Sequence, residues 1–148
     1  MKSDAVVARA DVGDPALDGL LTAAIAELVV RYGGAAHEGP LTPAATYLVA
    51  TVDGYPAGCI ARVPVADGLV EMKRVFVDDG FRGRGIASLL VRTFEDEARA
   101  DGVARIRLET GTKQPEAIAL YEKLGYVRIE NFGVYADSPL SRSYAKDL

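Results

Sequence analysis

The chain is poor in several residues whose scarcity is informative: it has one cysteine, one histidine, no long apolar run and no surplus of basic side chains. Cys59 cannot close an internal disulfide, and its place in an apolar run marks it as a small core residue rather than a nucleophile. His37 is the sole histidine, and no cluster of His, Cys, Asp or Glu has metal-ligand spacing, so no metal is expected. The longest nearly apolar stretch, Leu20 to Val30, carries Thr22 and Glu27 and is too short to cross a bilayer. The start Met1-Lys2-Ser3-Asp4 lacks the apolar stretch of a signal peptide, so a cytoplasmic protein without a membrane partner is expected. A net charge of −4 and an isoelectric point near 5.0 argue against a nucleic-acid partner, and the Lys73-Arg74 pair is too small to form a basic patch. The acidic balance leans towards small cationic substrates. The phosphate-loop signature Gly-Lys-Ser/Thr is also missing.

What remains is ordinary globular composition, 49% hydrophobic and 26% charged over 148 residues, enough for a proper core without metal or disulfide. No repeat, low-complexity tract or linker divides it, so residues 1–148 read as a single domain. Val6 to Ala10 reads as a strand. Asp14-Pro15 then supplies an N-cap and a first-turn proline for a helix reaching about Arg31. Ala35 to Pro43 reads as loop. Tyr47 to Val52 and Ala57 to Val63 form a hairpin signal around Asp53-Gly54-Tyr55-Pro56, and Asp67-Gly68 turns the chain into a strand from Val70 to Val77. The first half is therefore expected to be antiparallel. The helix from about Ser88 to Ala100 places Ile86, Leu89, Leu90, Phe94 and Ala98 on one stripe, opposed by Arg92, Glu95, Asp96 and Arg99. The strand Arg105 to Thr110 completes a βαβ unit, which requires parallel strands. A helix over Gln114 to Gly125 and strands Tyr126 to Glu130 and Ser141 to Lys146 finish the chain.

The most informative segment is Val75 to Ala87 with the helix behind it. Gly83 and Gly85 allow backbone angles closed to other residues, and the amides from Arg82 to Ser88 can converge on one anion at a helix N-terminus. A dinucleotide or a coenzyme A fits such a loop in principle. The dinucleotide fingerprint is approached by Gly83-Arg84-Gly85-Ile86-Ala87-Ser88, with Glu109 at a suitable distance. Against it, the third small position is Ser88, five residues separate Val77 from Gly83, and some seventy residues precede a motif that usually opens its domain.

Arg82-Gly83-Arg84-Gly85-Ile86-Ala87 instead resembles the Gln/Arg-x-x-Gly-x-Gly/Ala signature of the GNAT family of N-acetyltransferases. A later element of that family, Ala-x-x-Leu-Tyr-x-x-x-Gly-Tyr, is present as Ala117 to Tyr126. The resemblance implies an α/β fold with a mixed central β-sheet, mostly antiparallel with one parallel, splayed pair, flanked by helices on both faces. It implies acetyl-CoA as donor and direct acetyl transfer to a primary amine, and the acidic balance of the chain favours a small cationic molecule as that amine. Dimers are frequent among the proteins it resembles. Two other functions fit the same signature, a non-catalytic acyl-CoA sensor and an acetyltransferase acting on protein or peptide amines.

By the same resemblance, the main chain of Val75, Phe76 and Val77 receives the pantetheine arm. Arg82, Gly83, Arg84, Gly85, Ile86, Ala87 and Ser88 take the pyrophosphate, and Gln114 stands where many members carry an asparagine against the cofactor arm. Tyr121 corresponds to the tyrosine that protonates the departing thiolate; a phenol with pKa near 10 holds its proton at neutral pH. An alkyl-ammonium acceptor of pKa about 10.4 is only about 0.04% neutral at pH 7, so a base matters more than the acid. Glu71, six residues before Val77, is the expected base, with Glu109 as alternative. His37, Tyr135, Ser138 and Ser141 lie in two loops that could border the acceptor pocket.

Overall fold

A computed structural model describes residues 4–33 and 41–148. Strand β1 (Val6–Ala10) is followed by α1 (Pro15–Tyr32), then β2 (Thr46–Val52), β3 (Tyr55–Ala66) and β4 (Leu69–Val77). Helix α2 (Ile86–Ala100), β5 (Arg105–Gly111), α3 (Pro115–Lys123), β6 (Val127–Ile129) and β7 (Ser141–Asp147) complete the order. The strands form one seven-stranded sheet in the spatial order β1-β2-β3-β4-β5-β7-β6. Every neighbouring pair is antiparallel except β4 and β5, which the α2 crossover makes parallel.

The local chemistry accounts for the elements. The Asp14 side chain caps α1 by accepting from Ala16 N at 2.9 Å, with Pro15 in the first turn. The hairpin between β2 and β3 turns on only Asp53 and Gly54, whose φ values of 51° and 81° are those of a tight two-residue turn. Tyr55 and Pro56 therefore belong to β3, which begins earlier and runs longer than its sequence suggests. Helix α2 starts at Ile86 rather than near Ser88 and buries Ile86, Leu90, Val91, Phe94 and Ala98 against the sheet. Each such burial contributes about 1.5–3 kcal/mol for the larger side chains.

One residue expected on the solvent face of α2 is inside. Glu95 is 4% exposed, accepting from Tyr126 Oη at 2.8 Å and from Lys146 Nζ at 3.0 Å. Those two partners, one just after α3 and one on β7, make the burial of a carboxylate tolerable. Helices α2 and α3 share one face of the sheet and α1 covers the other, where Leu17, Leu20 and Ala24 meet Tyr47, Val49, Cys59 and Phe76.

The feature that positions the site is a bulge in β4. Cys59 pairs with Phe76 but Ala61 pairs with Lys73, so β4 carries one extra residue, and Arg74 adopts a left-handed φ of 56°. The parallel pairing with β5 stops at Met72 opposite Leu108. Beyond that point β4 and β5 diverge, as the splayed pair requires.

Candidate active site

The end of β4 opens into a cleft of about 320 Å3. Val75, Phe76 and Val77 form one wall, Ala117, Leu120 and Tyr121 of α3 another, and Glu27 and Arg31 reach in from α1. Gln114 lines it as well, its Oε1 held by Gly111 N at 3.4 Å. The remaining wall is the turn after β4 and the first turn of α2, through Arg82, Gly83, Gly85, Ile86, Ala87 and Ser88. Arg84 is not on this wall; its guanidinium stacks 5.4 Å from the Phe81 ring centroid.

That turn is built for an anion. A short 3₁₀ turn, Asp79–Phe81, reverses the chain, and Gly83 and Gly85 have φ of 78° and 77°, angles a Cβ would strain. Leu89 N bonds Gly85 O at 3.1 Å, whereas the amides from Gly83 to Ser88 have no backbone acceptor among the described residues. No side chain caps α2 and no acidic residue occupies its first turn. A row of open N–H groups at the positive end of a fifteen-residue helix suits a pyrophosphate, and the apolar walls of β4 and α3 suit a thin flexible arm.

Charges bridge the cleft. Arg82 Nη2 lies 2.9 Å from both carboxylate oxygens of Glu27, while its Nε donates to Val77 O at 3.0 Å. Glu27 also meets Arg31 at 3.2 Å, and Arg31 pairs with Glu116 and donates to Lys113 O at 2.8 Å. The C-terminal turns of α1 are thereby tied to the start of α3 across the cleft. Glu27, Arg31 and Glu116 were not foreseen. Their one signal is the pair Glu27 and Arg31, charges one turn apart in a helix whose other charge, Asp18, lies in its first turn.

Tyr121 is buried and edge-on to Tyr126, with ring centroids 5.9 Å apart. Burial, aided by the nearby Glu109 carboxylate, pushes its phenol well above the ordinary value, so it remains a proton donor throughout the neutral range. Glu109, Thr110, Lys73 and Arg74 line a smaller cleft of about 120 Å3 that shares Tyr121, Gln114, Val75 and Phe76 with the larger one.

Glu71 sits elsewhere. It lines neither cleft, and its oxygens are engaged by Arg107 Nε at 3.3 Å and Lys73 Nζ at 3.4 Å. Arg107, also unforeseen, packs 4.0 Å from the Phe132 ring centroid, and Lys73 lies 5.8 Å from that of Tyr135. Ser141 is buried beside Asn131, whose Nδ2 donates to Ser141 O at 3.1 Å and Ser138 O at 3.3 Å. Those contacts make the loop before β7 a closed structural unit. Cys59 is buried and its thiol is pushed up to about 12 by burial, which leaves no thiolate for covalent chemistry. His37 lies outside the described residues.

Known proteins point the same way. One relative, an IAA acetyltransferase of Azospirillum brasilense, is 41% identical over 72% of this chain and 70% of its own length. Human N-acetyltransferase 8 is 38% identical over 54% of the chain, which spans only 37% of that longer protein. Among solved structures, a Klebsiella pneumoniae protein described as an acyl-CoA N-acyltransferase superposes with a TM-score of 0.84 at 31% identity, covering 97% of each chain. The profile of the Acetyltransferase (GNAT) family matches residues 23–126, a span that holds both clefts, and the chain belongs to that family of acetyltransferases.

Proposed function

We propose that the protein transfers an acetyl group from acetyl-CoA to the primary amine of a small molecule, in one direct step and in a cytoplasmic setting. The observation that carries this reading is the row of open amides from Gly83 to Ser88 beside a buried Tyr121 in one cleft. The likeness to an acyl-CoA N-acyltransferase over nearly the whole chain supports the donor. A second cleft of only about 120 Å3 supports a small acceptor over a protein side chain.

The amine nitrogen forms a C–N bond to the acyl carbon as the C–S bond breaks, and the bonding pair leaves on sulfur. Tyr121 supplies a proton to that sulfur. The nitrogen loses its proton to a carboxylate, and Glu109 fits this task better than Glu71, since Glu109 lines the cleft beside Tyr121 while Glu71 lines neither cleft. Most of the rate comes from holding amine and thioester together, with backbone amides near Val75 to Val77 polarising the carbonyl.

A thiol-release assay with acetyl-CoA across an amine panel tests the reading. Tyr121→Phe is expected to lower kcat about tenfold, because a thiol of pKa about 8.5 already leaves readily. Glu109→Gln should lower it by about a hundredfold. Full rates for both variants would refute the roles; coenzyme A binding without release for any amine would instead favour a sensor.

A further inference from the structure

We infer that the acceptor carries a carboxylate close to its amine and an apolar side chain, as an apolar α-amino acid does, with Lys73 holding the carboxylate. This rests on the acetyltransferase reading above and adds the acceptor's chemistry. The net acidity of the chain would favour a cation, but the charges facing the cleft have a different balance.

Four charged side chains line the smaller cleft, Glu27, Lys73, Arg74 and Glu109. Glu27 is engaged by Arg82 and Arg31, and Arg74 and Glu109 have partners of their own, so the balance is decided at Lys73. Behind Lys73, one carboxylate, Glu71, serves two cations, Lys73 and Arg107, so that group carries an excess positive charge in a half-buried place. The Lys73 ammonium has three N–H donors, and Glu71 is its one hydrogen-bond acceptor among the described residues. It can accept an acceptor carboxylate without losing Glu71. The β4 bulge sets Arg74 beside it and turns that side chain into the same wall.

Arg74 and Ile25 also line an adjoining trough of about 490 Å3. Apart from Arg74 and Asp11, its walls are chiefly apolar, among them Val12, Leu21, Leu41 and Tyr47. An α-amino acid spans this arrangement with its carboxylate at Lys73, its amine towards Glu109 and Tyr121, and its side chain in the trough. The same cations disfavour a protonated amine and so help to generate the neutral nucleophile. A polyamine, by contrast, would bring its second charge against Lys73.

The test measures thiol release from acetyl-CoA with L-leucine and L-phenylalanine, each against its own carboxamide, and with putrescine. In the wild type the free acids should exceed the carboxamides and putrescine in kcat/KM by about tenfold or more, the scale of one charge-assisted contact. Lys73→Met should erase that preference through the acceptor KM, Lys73→Arg should keep most of it, and coenzyme A affinity measured by calorimetry should be the same in all three proteins. Equal or better turnover of the carboxamides or putrescine, or a preference that survives Lys73→Met, overturns this inference alone. Release with none of these amines but with another amine of the panel also overturns this inference alone, and coenzyme A binding without release for any amine overturns the acetyltransferase reading with it.

Discussion

Individual residues differ in how much of their placement could be read from the chain. That Gly83, Gly85 and Tyr121 line one cleft was legible because a turn, a helix start and a helix face are local. Glu71 was not, because whether a strand carboxylate faces a cleft or two cations depends on Arg107, thirty-six positions away. Glu27 was equally hidden, since its partner Arg82 lies fifty-five positions along the chain. Cys59 was read correctly as core from its apolar setting. Its raised pKa makes a definite prediction: a thiol reagent at pH 8 should leave the native protein unlabelled while labelling the denatured protein fully, and activity should survive the treatment. Rapid labelling with loss of activity would put the thiol at the site.

At the scale of elements, helix and strand types followed from periodicity and capping, but the bulge at Arg74 left no trace in the pattern of apolar residues. Nor did the inward turn of Glu95, which needs Tyr126 and Lys146 from later elements. Two glycines test the packing account. On β3, a Cβ at Gly58 would stand 2.7 Å from the Phe76 carbonyl oxygen and 3.1 Å from Leu90 Cδ1, so β4 or α2 must shift. Gly58→Ala should therefore lose about 1–3 kcal/mol of stability and weaken coenzyme A binding, because the displaced backbone is a wall of the cleft. Gly19, in the middle of α1, has open space around its Cβ position. Gly19→Ala should gain about 0.5–1 kcal/mol with coenzyme A affinity unchanged. Denaturant melts and calorimetry of the two variants measure both effects, and a stable Gly58→Ala with full affinity would contradict the close approach of β3 to the cleft.

For the whole molecule, α2, α3 and β7 meet at Glu95, Tyr126, Tyr121 and Lys146. Burial, and for Tyr126 also its bond to Glu95, raises both phenols above their unfolded pKa near 10. A group whose folded pKa is raised lends its full stabilisation below the unfolded value and withdraws it as pH climbs above that value. Melting temperature should therefore fall from about pH 10 upward, and Tyr126→Phe should make that fall shallower while lowering stability at pH 7. A melting temperature unchanged through this range would contradict the burial of the pair. The architecture itself, a mixed sheet opened between β4 and β5, was legible because the glycine loop and the later Leu120-Tyr121 helix fix where the crossover lies. The smaller cleft was not, since it is assembled from α1, the bulge and β5 together.

The central claim is that the cleft between β4 and α3 binds coenzyme A and works with an amine acceptor. Calorimetric titration of the protein with coenzyme A and, separately, with NADH, paired with thiol release from acetyl-CoA in the presence of L-leucine, measures it directly. The account predicts coenzyme A binding in the range of about 1 μM to 1 mM usual for enzyme substrates, weaker in Gly85→Ala, together with amine-dependent release of thiol. Binding of NADH but not coenzyme A, with no thiol released, would contradict it.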